Sequence, residues 1–110
     1  MHTDQNIPFT ITSWDQVPSE RHEGTTGYAI WKVLHFGEIR VREVVYSPGY
    51  LADHWCEKGH IIYCVEGVMT TELDDGRKFV LNKGMSYQVG DMASRHRTFS
   101  EKGVKLFIVD

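Results

Sequence analysis

The chain has 110 residues, 41% of them hydrophobic and 25% charged, with a formal net charge of −3. That length and balance describe one globular domain, spanning 1–110, with enough apolar content to bury its own core. A slightly acidic chain is a poor match for nucleic acid or an acidic membrane surface, and no apolar run approaches the roughly 20 residues that cross a bilayer.

The N-terminus, MHTDQNIPFTITSW, lacks a basic start followed by an apolar stretch, so no signal peptide is expected and cytoplasmic residence follows. Strands are expected at about 9–12, 28–36, 38–47, 53–56, 60–66, 68–74, 78–81, 86–89, 94–100 and 104–109, because short Val-, Ile-, Thr-, Tyr- and Phe-rich runs alternate with Gly or Pro-Gly punctuation about every ten residues. A single helical turn over Ser13–Val17 is the only helix the pattern allows. Pro48-Gly49 reads as a type II turn, and Asp75-Gly76 as a type I′ hairpin turn with Asp74 facing Arg77. The architecture these elements imply is all-β, a sandwich or barrel.

Two cysteines, Cys56 and Cys64, lie eight residues apart. On a continuous strand that is about 26 Å, far beyond the roughly 7 Å a disulfide allows, so none is expected.

Three of the six histidines, with Cys56, form the one chemically suggestive pattern. His54, Cys56 and His60 are separated by even numbers, which on a regular strand puts them on one face. Imidazole and thiolate are the ligands first-row divalent metals prefer, and His96, from a later strand, is the residue able to close a site. Taken singly, each histidine also fits a surface or hydrogen-bonded core role, and a cysteine a small buried apolar one.

Two longer stretches sharpen this. PGYLADHWCEKGHIIYCVEG and GMSYQVGDMASRH together resemble the two motifs of the cupin family. In the first, Gly49 leads to His54, Cys56 takes the second His position, His60 takes the Glu position, and Gly67 closes the motif. In the second, Gly84 leads to His96 with one extra residue. Gly90 stands for the motif's Pro, Met92 for its second Gly and Ser100 for its Asn. The chain further resembles small single-domain cupins named for an Asp-His-Cys-Trp motif, seen here as Asp53-His54-Trp55-Cys56, over about residues 28–110.

The resemblance implies a double-stranded β-helix, a jelly-roll-like barrel. It implies one divalent transition metal held by His54, His60 and His96, with Cys56 as a fourth ligand or just behind the metal. Iron(II) and zinc(II) come first, and nickel, manganese or copper are the alternatives. It also implies a metal-dependent enzyme on a small molecule, either dioxygenase-like or a Lewis-acid isomerase or lyase. The alternative is a non-catalytic ligand-binding or sensing module. A homodimer is expected, because Trp55, Ile61 and Tyr63 fall on the face opposite the ligands and make an outward apolar stripe. Arg40 and Arg42 share a strand face, where they are either a clamp for a substrate carboxylate or solvated ion-pair partners; Tyr87 is a candidate pocket wall. Arg95 and Arg97 are expected in surface pairs with acidic residues. His2, His22 and His35 are read as structural or exposed.

Overall fold

A computed structural model describes residues 7–110. It contains one short 3-10 turn, Trp14–Gln16, and nine strands: β1 (Glu20–Glu23), β2 (Tyr28–Phe36), β3 (Ile39–Tyr46), β4 (Tyr50–Leu51), β5 (His60–Leu73), β6 (Lys78–Asn82), β7 (Ser86–Val89), β8 (His96–Ser100) and β9 (Val104–Val109). The strands are joined in the order β1-β2-β3-β9-β5-β8-β4, with β6 and β7 each paired to β5. All pairings are antiparallel. No helix among the described residues is long and apolar enough to cross a membrane.

The fold turns on β5. Separate strands were expected on either side of Gly67, but the chain continues through it as one long strand. The register against β9 slips between Cys64 and Glu66, and Gly67 follows at φ 87°. A Cβ there would lie 2.5 Å from the Gly103 carbonyl oxygen, so only glycine lets the two backbones approach. The bulge bends the strand. Its first half pairs with β7 and β9, its second with β6 and β8, and the sheet curls on itself as a barrel-like layer.

Alternation does the rest. Ile62 and Cys64 on β5, Val44 on β3, and Leu106 and Ile108 on β9 point inward with Met69, Leu81 and Val104 to form the core. Each such side chain contributes about 1.5–3 kcal/mol by leaving water.

Several local expectations change in detail. Residues 9–12 form no strand, and the charged segment Glu20–Glu23, which carries no apolar alternation, does. The β5–β6 hairpin is not a two-residue type I′ turn. The Leu73 N–H bonds the Arg77 carbonyl at 2.8 Å and the Gly76 N–H bonds the Leu73 carbonyl at 3.0 Å, with Gly76 alone at positive φ. This is a three-residue loop ending in a glycine bulge. Arg77 therefore meets Asp75, at 2.8 Å, rather than Asp74. The Pro48-Gly49 turn forms as expected, with Gly49 at φ 77° and Tyr50 N–H on the Ser47 carbonyl. Both cysteines are free.

Candidate metal centre

Cys56, His60 and His96 each bring one ligand atom to a common point, all within 4.8 Å of one another. Three separate devices put them there. Cys56 and His96 exchange both backbone hydrogen bonds, at 2.7 and 3.0 Å, as an isolated bridge. Directly opposed residues of an antiparallel pair project to the same face. His60 opens β5, where its alternation with Ile62 and Cys64 aims it inward. Gly59, just before it, donates its N–H to the Asp91 carboxylate at 2.7 Å and anchors the strand's start.

His54 is not part of this cluster. The expected strand over 53–56 does not form; only Cys56 makes a bridge, and residues 52–55 run without strand pairing. Without a strand there, His54 and Cys56 do not share a face. The His54 side chain is 77% exposed and pairs with Asp53 at 2.6 Å, at the edge of the neighbouring cavity. Trp55 leaves the outward stripe for the same reason: it lines that cavity, with the Arg97 guanidinium 4.9 Å from its ring.

The outer hydrogen bonds of the two histidines decide their chemistry. His60 Nδ1 lies 3.0 Å from Asp110 Oδ2, and His96 Nδ1 lies 3.0 Å from the Ser94 carbonyl oxygen. Both oxygens only accept, so both Nδ1 atoms carry a proton, which leaves Nε2 as the atom of each neutral ring able to ligate. Those two Nε2 atoms are 2.8 Å apart, and Cys56 Sγ is 3.5 Å from His60 Nε2. Two lone pairs at that distance repel unless a proton or a cation lies between them. Donor atoms around a tetrahedral zinc stand about 3.3–3.8 Å apart, so a small opening of the His–His pair admits a metal. The residues fit a divalent transition ion.

Charge points the same way. Hydrogen bonds from His60 and then His96 hold the Cys56 thiol down to about 5, against the opposing effect of burial. Burial by itself lowers the His60 pKa, but bonds to Asp110 and Cys56 outweigh it and the net shift is upward. In the metal-free site the thiolate is therefore balanced by a proton held among Cys56 and the Nε2 atoms of His60 and His96, and a bound dication would take that proton's place.

Asp110 was not anticipated as a site residue, and it organises one wall. The β3–β9–β5 registers, Val41↔Val109 and Ile61↔Val109, place Arg40, Asp110 and His60 in one row one residue further on. The Asp110 side chain is fully buried and accepts from Arg40 Nε and Nη2 and from Arg42 Nη2, each at 2.9 Å, besides His60. Burial opposes its ionisation, but the His60 and Arg40 bonds and the Arg42 charge hold the carboxyl well below the usual range. A signal existed in the sequence: Leu106, Ile108 and Asp110 share a face, so the aspartate continues a buried row. Arg40 and Arg42 do face inward together, and Arg42 is 5% exposed.

A cavity of about 470 Å³ opens beside the three donors, walled by Trp31, Arg42, Tyr46, Trp55 and Tyr87 among others. A second, largely apolar cavity of about 350 Å³ shares Tyr87 and His96 with it. The Tyr87 ring stands edge-on to His96 at 6.2 Å. Arg95 pairs with Glu57 at 3.1 Å and Arg97 with Glu72 at 3.4 Å, as expected. His35 is exposed and His22 stacks on Trp31 at 4.0 Å, while His2 lies outside the described residues.

No protein-family model matches the chain, and no curated protein matches it in sequence. Solved structures do match. A predicted oxalate decarboxylase from Thermotoga maritima is similar at TM-score 0.77 and 14% identity, over 91% of this chain and 96% of that one. An RmlC-like cupin from Shewanella frigidimarina gives 0.73 at 20% identity, over 96% and 92%. Ectoine synthase from P. lautus gives 0.72 at 16% identity, over 92% and 76%. At these identities the likeness is one of fold.

Proposed function

We propose that this chain, which folds as a small cupin domain, holds one divalent transition metal through Cys56, His60 and His96 and acts with it on a small molecule in the adjoining cavity. The observation that carries the proposal is the pair of inward-facing Nε2 atoms 2.8 Å apart with the Cys56 sulfur 3.5 Å from one of them. Three donors, rather than four, leave coordination open toward the cavity, the arrangement of catalytic rather than structural sites. A bound iron or zinc would supply Lewis acidity, and iron also chemistry with dioxygen.

The chain's own residues supply the rest. Asp110 and the Ser94 carbonyl hold the Nδ1 protons and fix both rings, so that each Nε2 stays free to ligate. Thiolate charge at Cys56 offsets one charge of a dication. The aromatic walls exclude water and orient a flat substrate. Several fold neighbours carry enzyme names, among them the ectoine synthase and the predicted oxalate decarboxylase, which favours turnover over binding alone.

Elemental analysis of protein purified without an affinity tag tests the metal. About one equivalent of iron or zinc is expected, lost in Cys56→Ser, His60→Ala and His96→Ala but kept in His54→Ala. Full occupancy in the first three refutes the ligand set. Oxygen uptake by the iron-loaded protein with catechols, thiols or β-diketones separates a dioxygenase from an isomerase or lyase. Binding without conversion across the panel favours a sensing module.

A second reading has its own geometry. Cys56, His60 and Asp110 form a nucleophile–base–carboxylate series at 3.5 and 3.0 Å. Metal-stripped protein that turns over an activated ester, and is inhibited by zinc, would favour it. We also propose a homodimer, supported by Val45, Ile61, Tyr63 and Val65, each more than a third exposed on the outer sheet face.

A further inference from the structure

We infer that the cavity beside the metal donors is built to receive an organic carboxylate, with the acid group on Arg42 and the body of the molecule against the aromatic wall. The inference deepens the reading above and rests on it for the claim that this cavity is the working one. Its evidence is separate: a surplus of buried cation and unspent donors on one wall.

The charge count comes first. Arg40 already binds Asp110 in a bidentate way, through Nε and Nη2 at 2.9 Å. One carboxylate is thereby matched to one guanidinium. Arg42 adds a second full positive charge to the same wall, and only its Nη2 reaches Asp110. Its side chain is 6% exposed, so water does little to stabilise that charge. An isolated buried cation is costly unless a counter-charge compensates it, and Asp110 is shared among Arg40, Arg42 and His60.

The donors come second. A guanidinium carries five N–H groups, and Arg42 Nε is buried with no hydrogen-bond partner among the described residues. The Trp31 indole Nε1 is in the same position. The two side chains are stacked, with the Arg42 guanidinium carbon 4.5 Å from the Trp31 ring, and both border the cavity. Buried donors are nearly always paired, so two unpaired ones on stacked side chains that border the cavity mark a missing acceptor, which meets them when those side chains shift, since neither nitrogen is open to water as it stands. Charge and planar fork select a carboxylate in particular.

The walls come third. The lining is largely apolar, with Trp31, Tyr46, Trp55, Ile62 and Ile108 in it, although ring faces are stacked on His22 and Arg42, on Tyr50 and on Arg97 respectively for the first three; inorganic anions do not use apolar wall. A volume of about 470 Å³ suits an acid of ordinary metabolite size. Arg42 offers one cation, and the Cys56 thiolate on the same cavity disfavours a multiply charged guest, so a monoanion fits better than phosphate.

The test is a comparison of acids with their uncharged amides. Benzoate and phenylacetate are titrated against benzamide and phenylacetamide, with inorganic phosphate as a further probe, by calorimetry and by quenching of tryptophan fluorescence. Each titration is run on zinc-loaded and on metal-stripped protein. The acids should bind at least tenfold more tightly than the amides in both forms, and phosphate more weakly than either acid. Arg42→Met should abolish the preference while zinc stoichiometry is retained. Trp31→Phe keeps the ring, removes the N–H, and should weaken acid binding severalfold, which covers the case in which Arg42→Met does not fold.

Acids and amides binding alike, or no acid binding at all, overturns the inference. So does a preference that disappears on stripping, since it then belongs to the metal, or one that survives both variants, since the acid then sits on other residues. Zinc stoichiometry is read independently. A chain that holds no zinc but prefers acids loses the metal reading alone; one that holds zinc without the preference loses this inference alone.

Discussion

Asp110→Asn is the sharpest single perturbation of the site, because it removes one charge and almost no volume. The wild-type carboxylate is fully buried and accepts four hydrogen bonds, three of them from two guanidiniums. An amide turns two of those acceptor positions toward its own N–H₂ and leaves two cations without their counter-charge. Removing one partner of a buried ion pair costs about 3–5 kcal/mol. The Arg40 side chain is 27% exposed, so water offsets part of the loss. About 2–3 kcal/mol is the fair expectation, a fall in Tm of roughly 10–15 °C for a domain this size. The measurement is calorimetric or urea unfolding of metal-stripped protein, so that lost metal does not inflate the result. The pH dependence gives a second handle. The folded-state pKa of Asp110 lies below its unfolded value, so the stabilisation is complete above about pH 4–5 and is lost as pH falls toward the folded value. The gap between wild type and variant should therefore narrow as pH drops from 7 to 3. In loaded protein the same change frees the His60 tautomer, and metal affinity should fall about 10- to 100-fold. A variant that melts within about 2 °C of wild type, with a pH-independent gap and unchanged metal affinity, would refute this account of Asp110.

Other expectations follow from backbone and surface. Met92 is the only described non-glycine residue at positive φ, 59°, and the residue is 71% exposed. Met92→Gly should relieve about 1–2 kcal/mol of strain, lose about 0.5–1 to backbone entropy, and raise Tm by roughly 2–6 °C in a thermal melt. Gly67→Ala should cost about 2–4 kcal/mol by urea unfolding, since it combines a positive φ with a Cβ 2.5 Å from a carbonyl oxygen. Tyr63→Glu, on the outer face of β5, should shift sedimentation from dimer to monomer while metal content stays unchanged; a wild-type chain that sediments as a monomer ends that proposal.

What the sequence made legible follows from where strands are regular. β2, β7 and β9 occupy the expected residues, because each is an unbroken run with turn residues at both ends. That Arg40 and Arg42 share a face was readable from alternation along β3, though not that the face points inward, and the pairing of His60 with His96 from the resemblance to the two cupin motifs. β1 was missed because an edge strand reading Glu-Arg-His-Glu buries no apolar face. The β5 bulge was read as a break, since Gly67 has the same local signature in either case. Asp110 was missed for a different reason. Its role depends on the registers of β3 and β5 against β9, which bring together residues about 70 and 50 positions apart, and no local pattern reports them.

Residues 52–59 show how the same motif can be right in one residue and misleading in the next. Position 54 carries a histidine where the motif expects a ligand, yet the segment has no strand to hold it inward, and Asp53 binds it at the surface. Position 56 carries cysteine instead of histidine, and the bridge to His96 points it at the centre. Position 60 carries histidine instead of glutamate, so the negative charge a glutamate would supply must come from elsewhere. Cys56 supplies it as a thiolate, and Asp110 supplies a second charge from behind His60. Met92 stands at the second motif's glycine position and takes a left-handed backbone, φ 59°. The three donors are recoverable from strand pairing and hydrogen bonds rather than from the letters of the motif alone.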